Sequence, residues 1–317
     1  MKNNQLAKIT ERHRVSTSTA SKVLRHCRGI STEIREMILE THNTGFMQSE
    51  QDTDLYIMLP ENPSFYWSKI SRLIISNFSS TLRIKWNYFS KVSDEKTVEK
   101  YMEEAIHLHS KAILMAARIS DPQIITKFEG LFPECTVFSL NEPTQITNSF
   151  YIGSDYENDN DLLATQIKKD LGEAPKLLIF PGPPFRTEHF LKLFNHKNCW
   201  VSKIPTEEKA LAAIMARHIL ENTQLHTIDA VVCLTGKTEW ASLAIQKCKL
   251  SLPCYGFDLQ QSEYNTYPNI KASVNQDLEK ISTEAVKIVS CFLKEKMFPD
   301  KNTFIPSELI VPQPENA

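Results

Sequence analysis

Glycine is scarce, with eight residues in 317. Loops that cradle phosphates need backbone that reaches left-handed angles and approaches a ligand closely, so little material remains for nucleotide sites. There is no G-x-G-x-x-G, no G-x-S-x-G and no H-E-x-x-H. Gly236-Lys237-Thr238 imitates the end of a phosphate-binding loop, but that motif needs glycine where this chain has Val231. A non-enzymatic chain without cofactor or metal is the expectation. Long apolar runs are missing too, since no stretch approaches the roughly 18 residues of a membrane span. The opening MKNNQLAKIT lacks the apolar core of a secretory signal. Seven cysteines (Cys27, Cys135, Cys199, Cys233, Cys248, Cys254, Cys291) are scattered without a C-x-x-C pair or metal-type Cys/His spacing. Reduced thiols in a cytoplasmic protein with no membrane association follow as expectations.

What is present is ordinary for a folded chain: 41% hydrophobic and 23% charged residues. The length calls for two or three compact units. The net charge of −2 is unevenly spread. Residues 1–30 hold seven bases (Lys2, Lys8, Arg12, Arg14, Lys22, Arg25, Arg28) against Glu11, a balance of +6 that leaves −8 for the rest. A basic head on an acidic body suits a phosphate-binding module attached to something that must stay off DNA. A solvated basic face would look the same.

Residues 5–46 read as three short helices. Leu6 and Ile9 give the first an apolar pair. Ser16 or Thr17 can cap a second carrying Ala20, Val23 and Leu24, and Ser31 a third carrying Ile34, Ile38 and Leu39. Gly45 suits a left-handed stop. A short polar linker, 47–53, follows. Beyond it, strand-like runs alternate with amphipathic segments. The strands are expected at Leu55–Leu59, Leu82–Phe89, Ala112–Ala116, Thr136–Leu140, Lys176–Phe180, Trp200–Ile204, Ala230–Leu234, Leu252–Phe257 and Glu308–Val311. The helices are expected at Val98–His109, Asp161–Leu171, Thr206–Leu220 and Glu239–Lys249. Such alternation predicts βαβ units with right-handed crossovers and parallel sheets covered on both faces. About 260 residues is large for one such sheet, so residues 54–317 are expected to form two doubly wound α/β lobes.

The second helix has the chemistry of a DNA reader. Small hydroxyl residues at its start can bond phosphates and base edges, and Lys22, one turn beyond Ser18, can reach a guanine. A polar solvent-facing helix has the same composition. Val15-Ser16-Thr17-Ser18-Thr19-Ala20-Ser21-Lys22-Val23-Leu24 resembles the V-S-x-x-T-V-S-R-V-L signature of the lactose/galactose repressor family. Ile30-Ser31-Thr32-Glu33-Ile34-Arg35 resembles its V-S-x-x-T-R, and Thr44-Gly45-Phe46 its x-G-Y. The resemblance implies a helix-turn-helix domain over 1–46 and a periplasmic-binding-protein-like sensor over 54–317. One lobe would take about 54–172 and 276–297, the other about 173–275 and 298–317. It also implies that Thr17, Ser18 and Lys22 contact bases of double-stranded operator DNA, that Ser16, Ser21 and Ser31 contact phosphates, and that Arg14 and Arg25 join them. Two departures stand out. Arg14 replaces a usual turn glycine, at a cost on the order of 1 kcal/mol if φ is positive. The linker lacks the family's A-R-x-L hinge helix, which wedges a leucine into the minor groove. Either Met47 substitutes for it or the operator is not kinked in that way.

The body continues the resemblance. Leu59-Pro60-Glu61-Asn62-Pro63-Ser64-Phe65-Tyr66 is similar to the family's P-x-x-x-N-P-F-F loop. Ligands of open α/β sheets sit beyond the carboxyl ends of strands, so Asn62, Phe65 and Tyr66 are candidates to line a cleft. Two aromatics opening a helix are more often core. Arg186 begins a segment resembling R-x-x-G-F, with His189 where the family has glycine. Asp258 ends Tyr255-Gly256-Phe257-Asp258, which resembles V-G-Y/F-D, and Gln276 lies in a Q-D crossover. Asp155 sits near the family's inter-lobe D-N. The N-D pair expected after Ala230–Leu234 is replaced by Gly236-Lys237. A cation there makes a sugar acid or sugar phosphate as plausible an effector as a plain sugar, with Trp240 either beside it or in the core. The chain stops soon after Glu308–Val311, without the leucine-heptad helix that builds tetramers in some relatives, so a homodimer is the expectation.

Overall fold

The computed structural model describes residues 53–312 apart from 62–64, 80, 91–92, 133, 205–209 and 260–265, together with Thr19, Lys22 and Val23. Those three are helical, with Val23 buried and Lys22 exposed. The rest of the expected helix-turn-helix, including Arg14, Ser16, Thr17, Ser18, Ser21, Arg25 and Ser31, lies outside the described residues.

The chain alternates strand and helix as the apolar periodicity requires. Its order is β1 (Leu55–Pro60), α1 (Phe65–Asn77), β2 (Ile84–Phe89), α2 (Glu95–His107), β3 (Ala112–Met115), α3 (Pro122–Glu129), β4 (Thr136–Leu140), β5 (Ser149–Ser154), α4 (Tyr156–Leu171), β6 (Leu177–Phe180) and α5 (Pro184–Lys192). A 3-10 turn (His196–Asn198) leads into β7 (Cys199–Val201), α6 (Leu211–Leu225), β8 (Ala230–Cys233), α7 (Thr238–Lys247), β9 (Cys254–Phe257), β10 (Ile270–Asn275), α8 (Leu278–Glu295), β11 (Asn302–Ile305) and β12 (Glu308–Ile310). Two six-stranded sheets result, ordered β11-β5-β4-β3-β1-β2 and β12-β10-β9-β8-β6-β7. All pairings are parallel except β12 on β10.

Each sheet is buried on both faces because its strands carry apolar residues at successive positions. In β1, Leu55, Ile57 and Leu59 enter one core layer, while Tyr56 and Met58 enter the opposite one. In the second sheet Val231 and Cys233 face one layer, and Ala230, Val232 and Leu234 the other. Among the described residues, four helices start at an aspartate whose carboxylate accepts from a first-turn backbone N–H: Asp94, Asp121, Asp155 and Asp277. Such a cap is worth about 1 kcal/mol. The cap at Asp155 starts α4 at Tyr156, five residues before the apolar pattern suggests.

The chain crosses between the lobes three times, at Ser154–Asp155, at Gln276–Asp277 and between β11 and β12. These crossings correct the expected lobe boundaries. Helix α4, expected in the first lobe, packs on α5 and β10 of the second, where Leu163, Ala164 and Ile167 join its core. Strand β11, expected in the second lobe, extends the first sheet beside β5. Strands β5, β10 and β11 were not anticipated. Their sequences SFYIGS, IKASVN and NTFI mix serine, lysine or asparagine into the run and so lack a continuous apolar signal. The β7 strand is shorter than Trp200–Ile204 because it lies at the sheet edge, pairing with β6 alone.

At the entry to the first lobe, Asp54 accepts from the backbone N–H of Arg83 at 3.0 Å, from its guanidinium at 3.2 Å, and from Lys111 at 2.7 Å. Burial opposes ionisation, yet these donors hold the carboxyl well below the usual range. A carboxyl with a depressed folded value stabilises above its unfolded value and loses that contribution as pH falls. Asp54→Asn is therefore expected to lower stability by about 1–3 kcal/mol at neutral pH. Denaturant titrations should show the deficit narrowing once pH drops below about 4.

Candidate functional site

The carboxyl ends of β3, β4, β5, β6, β8 and β9 converge where the lobes meet, and the side chains just beyond them form one polar network. Its centre is Gln276, at the second crossing. The Gln276 amide nitrogen donates to both oxygens of Asp258 at 3.2 Å. Its amide oxygen accepts from the Tyr66 hydroxyl at 3.0 Å, Asn141 Nδ2 at 2.6 Å and the Ser154 hydroxyl at 3.1 Å. One side chain thus ties α1, β4 and β5 of the first lobe to the residue after β9 in the second. Asn141 adds a bond from its Nδ2 to the Tyr66 hydroxyl, accepts from Ser154 N at 2.8 Å, and offers its carbonyl to Tyr156.

Asn141 and Asp258 both hold left-handed backbone, with φ of 51° and 58°. Asparagine and aspartate tolerate that region better than other non-glycine residues, and such strain concentrates at binding sites. Gly153 is required for the same geometry, since a Cβ there would meet Asn141 Cα at 2.8 Å.

Two arginines face the cleft, each laid over aromatic rings. Arg186 is 4% exposed, with its guanidinium 4.2 Å from the Phe257 ring centre and 4.7 Å from that of Tyr156. Its Nη1 donates to the Leu234 carbonyl at 3.2 Å, while its buried Nε has no partner among the described residues. Arg118, just beyond β3, pairs with Glu142 at 2.8 Å and lies 5.6 Å from the ring of Phe185 in the opposite lobe. Phe185 in turn packs on Tyr156 at 4.7 Å. Burial pushes the Glu142 and Asp258 carboxyls upward, and the arginines pull them back. Glu142 and Asp258 offset the two arginines, so the cleft carries directional donors and acceptors as well as charge. Flat aromatic faces beside paired donors and acceptors suit a small hydroxyl-rich molecule.

Tyr66, Arg186, Asp258 and Gln276 of the sequence-derived candidates come together here. Asn62 and the side chain of Phe65 lie outside the described residues. Asp155 is a correction: its carboxylate is taken up by Glu157 N and Asn158 N in capping α4. Trp240 takes the core alternative, resting against the layer that contains Leu211 and Ile245. Lys237 is half-buried at the start of α7, next to Gly236, whose missing Cβ would lie 3.5 Å from Asp258. Arg118, Asn141, Glu142, Ser154, Tyr156 and Phe185 escaped the motif-based reading. Arg118, Asn141 and Glu142 follow strands β3 and β4, so the rule that ligands sit beyond carboxyl ends would have found them. Among the described residues, no cluster of acidic, histidine or cysteine side chains could hold a metal, and no helix is long and apolar enough to cross a membrane.

No family model matches the chain, and no curated protein matches it. Solved structures do. A solute-binding protein of an ABC transporter from Bacillus halodurans C-125, with bound myo-inositol, superposes with a TM-score of 0.69 at 14% identity, covering 84% of this chain and 96% of that one. GanP, a glucose-galactose binding protein from Geobacillus stearothermophilus, gives 0.68 at 14% identity over 82% and 98%. A periplasmic solute-binding protein from Actinobacillus succinogenes 130z, with bound D-allose, gives 0.64 at 14% identity over 82% and 98%. At such identities the likeness establishes the fold.

Gln276→Leu keeps the volume but strands Asp258 and Asn141 without their shared partner. A buried polar group left unpaired costs about 1–3 kcal/mol. Thermal unfolding of this variant should therefore show a clear loss, exceeding that of a leucine at an exposed site.

Proposed function

We propose that this chain, which has the two-lobed α/β fold of periplasmic sugar-binding proteins, is a sequence-specific DNA-binding regulator, acting as a repressor, whose operator affinity is set by a sugar or sugar derivative in the inter-lobe cleft. The observation that carries this reading is the union on one chain of the 15–46 motif series with a cleft lined by Tyr66, Arg186, Asp258 and Gln276. In this reading the Arg186 fork of donors grips ligand hydroxyls or a carboxylate, and Asp258 accepts from hydroxyls. Lys237, beside Asp258, extends the acceptable ligands to a sugar acid or phosphate. Two cytoplasmic protomers pair through their sensors and present two heads to a two-fold operator. The ligand acts by its different affinity for two lobe arrangements, which shifts the order or spacing of the heads. Catalysis has no part in it.

A second reading keeps the DNA-binding head but gives the cleft to a protein partner or to no ligand. The mutual satisfaction of Gln276, Asp258, Tyr66 and Asn141 favours it, since these groups need no ligand to be paired.

Changing Thr17, Ser18 and Lys22 together to alanine should abolish operator retardation in gels while leaving cleft binding intact; retained retardation removes the DNA-binding head from the reading. Titration calorimetry against neutral sugars, sugar acids and sugar phosphates separates the two readings of the cleft. Arg186→Ala should weaken whichever member binds by about tenfold or more, the worth of a charged hydrogen bond. Operator binding without ligand should stay near that of the parent. No heat from any member favours the second reading.

A further inference from the structure

The hinge contains an acid that neither the cleft nor the capping scheme uses. Asp159 sits in the first turns of α4 and is 0% exposed. Among the described residues neither carboxylate oxygen has a hydrogen-bond partner of good geometry, and nor does the buried Ser307 hydroxyl on the crossing between β11 and β12, although the Ser307 and Ser154 hydroxyls lie close enough to favour the charged form. The surroundings come from both lobes. Ser154 ends β5 at the first crossing, Ser307 lies on the third, Arg186 stands on α5, and Asp258 follows β9. Other ionisable groups on the elements packed against α4 are His189, which meets Asn160 at 3.4 Å, exposed Lys271 on β10, and Tyr255, which bonds Asp170 at the far end of the helix. A buried carboxylate with no well-placed donor is costly, whereas the neutral acid can donate to a hydroxyl oxygen opposite it.

We propose that Asp159 is a proton-operated latch on the hinge: bringing the lobes together around it requires the carboxyl to take up a proton, so the closed arrangement is favoured as pH falls. Rotation about the three crossings moves Ser154 and the first sheet relative to α4, and water then reaches the carboxylate. Burial pushes the carboxyl up to about 6 in the closed arrangement; Ser307, Arg186 and Ser154 limit the rise and Asp258 adds to it. In the open, hydrated arrangement it returns to the ordinary value of 3.8. The arrangement with the higher value binds the proton more tightly, so closing gains between those two values and is least favoured above the upper one. The latch depends on neither the cleft ligand nor the DNA-binding head, so either can fail without the other.

The test uses the full chain without ligand. Spin labels introduced through unnatural amino acids at exposed Gln123 and Lys197 report the inter-lobe distance and leave the cysteines untouched. The ratio of closed to open arrangement should rise about tenfold between pH 8 and pH 5. The rise should begin near pH 6. Asp159→Asn, neutral at every pH, should remove the dependence and hold the closed ratio at pH 8. An unchanged distance distribution across this range overturns the proposal, as does the same response in Asp159→Asn, which would shift the origin to His189 or Asp258. If the asparagine variant does not fold, Ser307→Ala removes a hydroxyl that eases ionisation and should move the onset of the rise to higher pH. An onset that stays put overturns the latch.

Discussion

One amide holds the two halves of this protein in register. Gln276 donates to Asp258 in one lobe and accepts from Tyr66, Asn141 and Ser154 in the other, on a segment that itself passes between them. An amide is the side chain that offers donors at one end and an acceptor at the other. A carboxylate here would repel Asp258, and a lysine would lack the acceptor end. The left-handed backbone at Asn141 and Asp258, and the missing side chain at Gly153, all serve to bring partners within reach of that amide.

Around this centre the charges are arranged for specificity rather than for stability. Each arginine lies on an aromatic ring, which offsets part of the desolvation of a buried guanidinium. Arg118 pairs with Glu142 in its own lobe while touching Phe185 in the other, so lobe contact is made through a ring face rather than an ion pair. Arg186 keeps an unused donor. Such a surface can exchange its partners for ligand hydroxyls with little change in net charge, which a site built from unpaired cations could not do.

The legible part of the fold was the part written in apolar periodicity. Runs such as Leu55–Leu59 and Ala230–Leu234 are buried on both faces, so every position carries the signal. Strand β5 escaped because Gly153 and Ser154 sit in it for the sake of the site, where hydrogen bonding and close approach outweigh hydrophobicity, and because Ser149 opens it with a hydroxyl that bonds the Ile146 carbonyl. Among site residues, Arg186, Asp258 and Gln276 were reached through motifs, whereas Asp155 went to a helix cap and Trp240 took the core place that was one of its two readings. Both of those follow strands, but a carboxylate at a helix start is drawn to its own backbone, and an indole on α7 to the nearest apolar layer. Local sequence carries no term for that competition.

The sequence alone determined that residues beyond the linker alternate strand and helix, because burial of parallel strands and amphipathic helices is a property of spacing. It also determined which segments end in polar residues suited to a cleft, and that the basic charge gathers at the head. Tertiary structure alone decided that α4 changes lobes and that β11 returns to the first sheet, since both depend on contacts between segments far apart in the chain. It alone brought Arg118 and Glu142 to Phe185, and Asp159 to Ser307. Ion pairing, ring stacking and the burial of a lone carboxyl depend on three-dimensional neighbours, and a linear pattern does not hold that information.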